Sequence, residues 1–232
     1  MLVVDSLTVV LGKAEVLKGI DLVAPRGVTA VLGINGVGKT TLFRALAGLY
    51  PFGGSVTWKE LGVDPPTPVT GVGFAPQEVP TTRVMTCHGL LTYLAVLDGK
   101  PRDEAMVVAD ACLTYVGLAE ERNKRSHALS GGMKKRLGIA QALLSEHPVV
   151  LLDEPTSGLD LLQRRSILDL IQDLGRERTV LMSTHMASDV IEAADRYVVL
   201  TNGSILTSGS TDSLDVAALE RLITDAAQRG AA

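Results

Sequence analysis

Short runs of Val, Leu and Ile, broken by glycine, proline or charge, set the pattern of the first part of the chain. "LVV", "LTVVL", "IDLVA" and "VTAVLG" fall within residues 2–32, with Gly, Lys and "PRG" between them. Apolar β-branched runs bounded by turn residues predict strands. Gly33–Gly38 then reads as a loop, and "KTTLFRALAGLY" as a helix stopped by Gly48 and Pro51. Two short strands, "GSVTWKE" and "GVGFAPQ", are expected within 53–77, beside a Pro-rich connection at 64–68. From about residue 80 to 146 the apolar spacing becomes helical in "TCHGLLTYLAVLDG", "DEAMVVADACLTYVG" and "GGMKKRLGIAQALLSE". After Pro148 strands and helices alternate: "VVLLD", a helix over 161–175, "TVLMST", a helix over 186–194, "RYVVL", a short "SILTSG" strand and a final helix near 212–228.

Alternating strands and helices imply a largely parallel sheet with crossover helices. The segment 80–146 reads as a helical lobe inserted into it. No internal repeat or low-complexity tract is apparent. A chain of 232 residues suffices for one sizeable core with such a lobe. Aromatics are few, one Trp, four Tyr and three Phe, so the core must be aliphatic. No run of 18 apolar residues occurs, so no membrane-spanning helix is expected, and "MLVVDSLTVV" lacks the charged start and long apolar core of a signal peptide. The net charge of −4 argues against non-specific nucleic-acid binding, which usually shows a basic excess. Cys87 and Cys112 match no metal spacing and read as reduced, partly buried thiols.

Two segments carry chemistry. "GINGVGKT", Gly33 to Thr40, fits the P-loop pattern between a strand and a helix. There, converging N–H groups and the helix dipole favour an anion. Gly33, Ile34, Asn35, Gly36, Val37 and Gly38 would wrap phosphate oxygens. Lys39 would reach the β- and γ-phosphates, Thr40 would offer a hydroxyl to Mg²⁺, and Thr41 would touch the α-phosphate. "VVLLDEPTSGLD" is the second: a buried strand ends in Asp153, which can reach the Mg²⁺ shell. Glu154, next at the strand's carboxyl end, can orient a water. Taken alone, the glycine run could be a turn without a ligand and the acidic pair a strand cap.

A second apparent phosphate cradle, "LSGGMKKR" from Leu129 to Arg136, lies about a hundred residues on. With it, the P-loop and the Asp153–Glu154 pair, the sequence resembles the ATP-binding subunit of an ABC transporter over nearly its whole length. The order is Gly33–Thr40, Gln77 in "FAPQ", Ser130–Gly132, Asp153–Glu154, "SGLD", and His185 in "STHM". The resemblance implies an α/β fold: a P-loop NTPase core with a mainly parallel sheet, an N-terminal antiparallel β subdomain and an inserted helical lobe. It implies one domain over 1–232, with about 1–78 and 147–232 as catalytic core and about 79–146 as the helical subdomain. Two such domains would close head to tail, so that Ser130, Gly131 and Gly132 face the γ-phosphate of the partner's ATP. Alone, "LSGG" could be an N-cap, which would not exclude that role. Gln77 corresponds to the family's glutamine near Mg²⁺, Asp160 to its interface aspartate, and His185 to its switch histidine. Catalysis would rest on Glu154, His185 and Lys39, and Mg²⁺ on Thr40, Gln77 and Asp153. His88, His127 and His147 have no such support, and the basic run Arg122, Lys124, Arg125, Lys134, Lys135 and Arg136 reads as a solvated face.

The chain departs from the family pattern twice. Where most members carry an aromatic to stack on adenine, it has Leu11, beside Val10. Met133 replaces the common glutamine, as in exporter-like ABC-2 systems. The expected function is thus ATP hydrolysis driving transport, with export favoured, through a separate permease on the inner face of the membrane. That permease would be contacted by "VPTTRVMTCHGLLTYL". The alternatives are a soluble ABC-type ATPase acting on nucleic acid or ribosomes, and a nucleotide-binding regulatory subunit without turnover.

Overall fold

A computed structural model describes residues 1–58, 67–68, 71–212 and 214–230. The first strands make an antiparallel sheet, ordered β2-β1-β4-β5, from β1 (Leu2–Leu11), β2 (Ala14–Ala24), β4 (Gly53–Trp58) and β5 (Thr67–Pro68). The rest of the predicted 64–68 connection lies outside the described residues. "LVV" and "LTVVL", expected as separate runs, form one strand. A bulge at Ser6, φ 51°, shifts the register between Val4 and Leu7. The extra residue restores burial to Leu7 and Val9 after Leu2 and Val4, so both halves face the same core. Asp21 Oδ1 accepts the Ser6 amide at 2.7 Å.

The second sheet has the order β10-β9-β3-β8-β7-β6. It comprises β3 (Gly27–Leu32), β6 (Gly73–Ala75), β7 (Val149–Leu152), β8 (Thr179–Thr184), β9 (Arg196–Thr201) and β10 (Ser204–Ser210). All neighbours pair in parallel except β10, an antiparallel edge. Every residue of β7 and β8 is buried because both faces are covered. Val149 and Leu151 face the antiparallel sheet and α1 (Lys39–Leu46). Val150 and Leu152 face the opposite layer. That layer holds α2 (Cys87–Leu97), α3 (Arg102–Tyr115), α4 (Gly131–Leu143), α5 (Leu161–Gly175) and α6 (Ala187–Ala193). This is the doubly covered parallel sheet that continuous apolar strands require. It gives the α/β P-loop NTPase architecture expected, with its antiparallel sheet.

The last helix, α7 (Val216–Gly230), inserts Leu219 fully into the same layer. α4 lies directly on β6, where an added Cβ on Gly73 would stand 1.9 Å from the carbonyl oxygen of Ala142. Cys87 and Cys112 are free and buried, and burial raises the Cys112 thiol pKa to about 11. Among the described residues no helix is long and apolar enough to cross a membrane.

Candidate functional site

The loop 33–38 leaves the buried end of β3 and enters α1. A side chain at Gly33 would meet the carbonyl oxygen of Leu200 at 2.6 Å. Gly38, φ 110°, is the N-cap of α1 and supplies no side chain to its first amides. Those N–H groups and the helix dipole therefore point at whatever fills the loop. A cavity of about 380 Å³ opens there. Asn35, Gly36, Gly38, Lys39, Thr40 and Thr41 line one side, Gln77 and Glu154 another, and Val16 of β2 an edge.

Lys39 is only 6% exposed. Its Nζ donates to the carbonyls of Gly33 at 2.7 Å and Ile34 at 3.2 Å, and lies 3.3 Å from Glu154 Oε1. Asp153 directly follows β7; its Oδ1 accepts from Ser183 Oγ at 2.6 Å. Glu154 is 5% exposed in the left-handed region, φ 49°. Its amide donates to Ser183 Oγ at 2.8 Å, so one β8 serine orients both acids. Glu154 Oε2 lies 2.9 Å from His185 Nδ1, whose ring is 44% exposed. Lys39, Glu154 and His185, far apart in sequence, are thus joined through the Glu154 carboxylate: Lys39 and Glu154 line the cavity, and His185 stands behind Glu154. Left-handed backbone at a bulky acid is uncommon and is kept only where surroundings over-determine it.

Thr40, Gln77 and Asp153 are oxygen donors, the set a hard cation prefers. Thr40 and Gln77 line the cavity and Asp153 sits at the adjoining strand end, so the residues present fit Mg²⁺. Among the described residues no group of three or more His, Cys, Asp or Glu could hold a metal by itself.

Ser130, Gly131 and Gly132 do not line this cavity. Ser130 caps α4, accepting the Met133 amide at 3.3 Å, and Ser130 and Gly131 are exposed. Asp160 similarly caps α5 through the Gln163 amide at 2.9 Å. Leu11 is 37% exposed at the β1–β2 turn and outside the cavity lining; Val16 is the apolar residue that reaches it. His88 contacts the Met106 carbonyl at 3.2 Å, away from the site.

Two groups were not foreseen. Asp189 is 1% exposed and accepts from Thr156 Oγ1 at 2.7 Å and Thr184 Oγ1 at 2.9 Å, while also pairing with Arg164. It ties the turn after Glu154, the strand end before His185, and α5 and α6 together. The second is the inner part of the basic run. Lys134 is half-buried, but Lys135 and Arg136 are tethers rather than a solvated face. Arg136 bonds the Val116 carbonyl and Ser166 Oγ. Lys135 donates to the carbonyls of Gln77 at 2.8 Å and Glu154 at 2.7 Å and to Ser157 Oγ at 3.1 Å. The available signal was helical spacing: Lys135 shares a face of α4 with buried Gly138, Ile139 and Ala142.

Comparison with known proteins agrees with this geometry. The family described as ABC transporter matches residues 17–157. The chain is 36% identical over 216 residues to the uncharacterized ABC transporter ATP-binding protein YxlF of Bacillus subtilis, covering 92% of this chain and 72% of that protein. It is 38% identical over 202 residues to the aliphatic sulfonates import ATP-binding protein SsuB 2 of Pseudomonas aeruginosa, covering 84% and 69%. Identity is also 38% over 187 residues to the retinal-specific phospholipid-transporting ATPase ABCA4 of Homo sapiens, covering 79% of this chain but 8% of that far longer protein. Among solved structures, cbiO1 of Clostridium perfringens, part of the ABC transporter complex cbiONQ, superposes with a TM-score of 0.75 at 28% identity, covering 98% and 94%.

Proposed function

The chain belongs to the ABC transporter family, and on that premise we propose that it is the ATP-hydrolysing subunit that drives a separate membrane permease. The observation that carries this reading is the meeting of Lys39 and Glu154 in the cavity above the P-loop, with His185 on the other carboxylate oxygen of Glu154. The whole chain acts as one ATPase domain, with residues 1–78 and 147–232 as its core and 79–146 as its helical lobe.

ATP lies with its phosphates along Gly33–Thr41. Lys39 meets the β- and γ-phosphates, exchanging Glu154 for phosphate oxygen. Glu154, freed from Lys39, orients a water for in-line attack on the γ-phosphorus and draws on its proton. His185, on the other oxygen of Glu154, fixes that carboxylate and reaches toward the γ-phosphate. Thr40, Gln77 and Asp153 would hold Mg²⁺, which when bound neutralises charge on the phosphates.

The Ser130–Gly132 cap, exposed at Ser130 and Gly131, does not line its own chain's cavity. It completes the site of a second ATP-binding chain, so each site of a head-to-tail dimer is built from two subunits. A capped helix start with free N–H groups is suited to that γ-phosphate. The permease docks on the segment from Val79 to Leu94, where Val84 and Tyr93 stand 77% and 48% exposed. That contact holds the subunit on the inner face of the membrane. Met133 supports export, whereas the relative named as an import ATP-binding protein supports the reverse.

Complementation tests the shared site. Lys39→Ala breaks a chain's own cradle and Ser130→Arg the one it lends. Each mutant homodimer should be inactive, whereas a mixed dimer regains one whole site and single-turnover hydrolysis. Verified heterodimers without recovery, or normal hydrolysis by a Ser130→Arg monomer, would refute the arrangement.

A further inference from the structure

We propose that Lys135 is a positioning residue for Glu154, and that through it the helix carrying the Ser130–Gly132 cap sets the geometry of the carboxylate in its own chain's site. The inference rests on the reading of Glu154 as the water-orienting acid and of the cap as facing a partner's nucleotide.

An ammonium has three N–H donors and no acceptor. Those of Lys135 meet three acceptors from two separate segments: the Gln77 carbonyl at 2.8 Å, the Glu154 carbonyl at 2.7 Å and Ser157 Oγ at 3.1 Å. Gln77 follows β6, and Glu154 and Ser157 follow β7, so one side chain of α4 joins both strand ends. The Glu154 peptide needs such a hold. Its left-handed backbone is unfavourable for a residue with a Cβ. Besides Lys135, its carbonyl accepts the Ser157 amide at 3.2 Å and Ser157 Oγ at 3.0 Å. Lys135 supplies the shortest of these bonds and the only one from a cation.

Burial lowers the Lys135 pKa, and the carboxylates of Glu154, Asp153 and Glu78 oppose that shift. The Lys135 side chain is half-buried between α4 and the strand ends, and its three bonds hold the ammonium there. Ser130 and Lys135 lie little more than a turn apart on one rigid element. A partner's γ-phosphate that draws in the cap therefore moves the Lys135 ammonium, and with it the Glu154 carbonyl. Each composite site would in this way report its occupancy to the other by a route inside one chain.

The test uses the full chain. Lys135→Met keeps the stem and removes all three donors. It should lower kcat about 10–100-fold, the scale of a misplaced catalytic group, with KM for ATP and Tm near wild type. Amide exchange should accelerate at Glu154 and Ser157 but not in the loop 33–38. Lys135→Arg, which retains the charge and several donors, should recover most of kcat. A Lys135→Met chain within about twofold of wild-type kcat, or one that loses kcat with unchanged exchange at Glu154 and Ser157, overturns the proposal. Should Lys135→Met fail to fold, Lys135→Gln, with two donors and no charge, is read by the same two measurements. A Glu154→Gln chain that still turns over refutes the underlying reading of the site. An inactive Glu154→Gln beside a fully active Lys135→Met refutes only the link.

Discussion

Glu154→Gln should tighten ATP binding as well as stop turnover. Lys39 is held by Glu154 Oε1 at 3.3 Å, with the two side chains 6% and 7% exposed. At an effective dielectric of about 20 that separation corresponds to about 5 kcal/mol of gross attraction. Desolvation of both ions offsets most of it, leaving about 1–2 kcal/mol. ATP must displace this contact to reach the ammonium, and its γ-phosphate must then lie beside a carboxylate. Glutamine is isosteric and can still accept from Lys39, but it removes the competing charge and the repulsion. The expected gain is therefore about 5–30-fold in Kd. Calorimetric titration in a Ser130→Arg background keeps dimer closure out of the measurement. ADP, lacking the γ-phosphate, should gain less. Because the pair is buried, added salt should change the difference little. An unchanged or weaker Kd for ATP would refute the argument that Glu154 occupies the phosphate position of Lys39.

Other outcomes follow from particular contacts. Asp189→Ala strands the Arg164 charge and the hydroxyls of Thr156 and Thr184; urea unfolding should show a loss of about 3–4 kcal/mol, and a loss under about 1 would contradict the network's weight. Gly73→Ala must push α4 off β6, since its Cβ would stand 1.9 Å from the Ala142 carbonyl oxygen; a stability loss of about 3 kcal/mol is expected in the same assay, and a neutral result would mean that α4 shifts freely. Leu11→Tyr places a ring at the β1–β2 turn; ATP should bind tighter by about 0.5–1.5 kcal/mol, and unchanged affinity would locate the base elsewhere.

Much of the architecture was legible because its signals are local. The boundaries of α5, Leu161–Gly175, follow from an aspartate cap and helical spacing. The doubly covered sheet follows from unbroken apolar runs in β7 and β8. The P-loop, the Asp153–Glu154 pair and the Ser130 cap were also readable, since each combines residue types and spacing within a dozen positions. A bulge at Ser6 was not, because one extra residue changes only which neighbour a strand pairs with. Nor was the choice of Val16 over Leu11 at the cavity edge, which depends on how the antiparallel sheet sits over the P-loop.

The least legible features were the polar groups that act across distance in sequence. Lys135 and Asp189 look like ordinary helix-surface charges, and nothing near them in the chain marks their partners. Only packing of α4 against the strand ends brings Lys135 to the Glu154 carbonyl, 19 positions away. Only the meeting of α5, α6 and two strand ends encloses Asp189 with Thr156, 33 positions away. The sequence by itself determined which groups could bind phosphate and orient water, because backbone periodicity and motif spacing are short-range. Tertiary structure alone decided which of them touch: burial makes an ammonium or carboxylate seek a partner, and the fold, not chain proximity, supplies it.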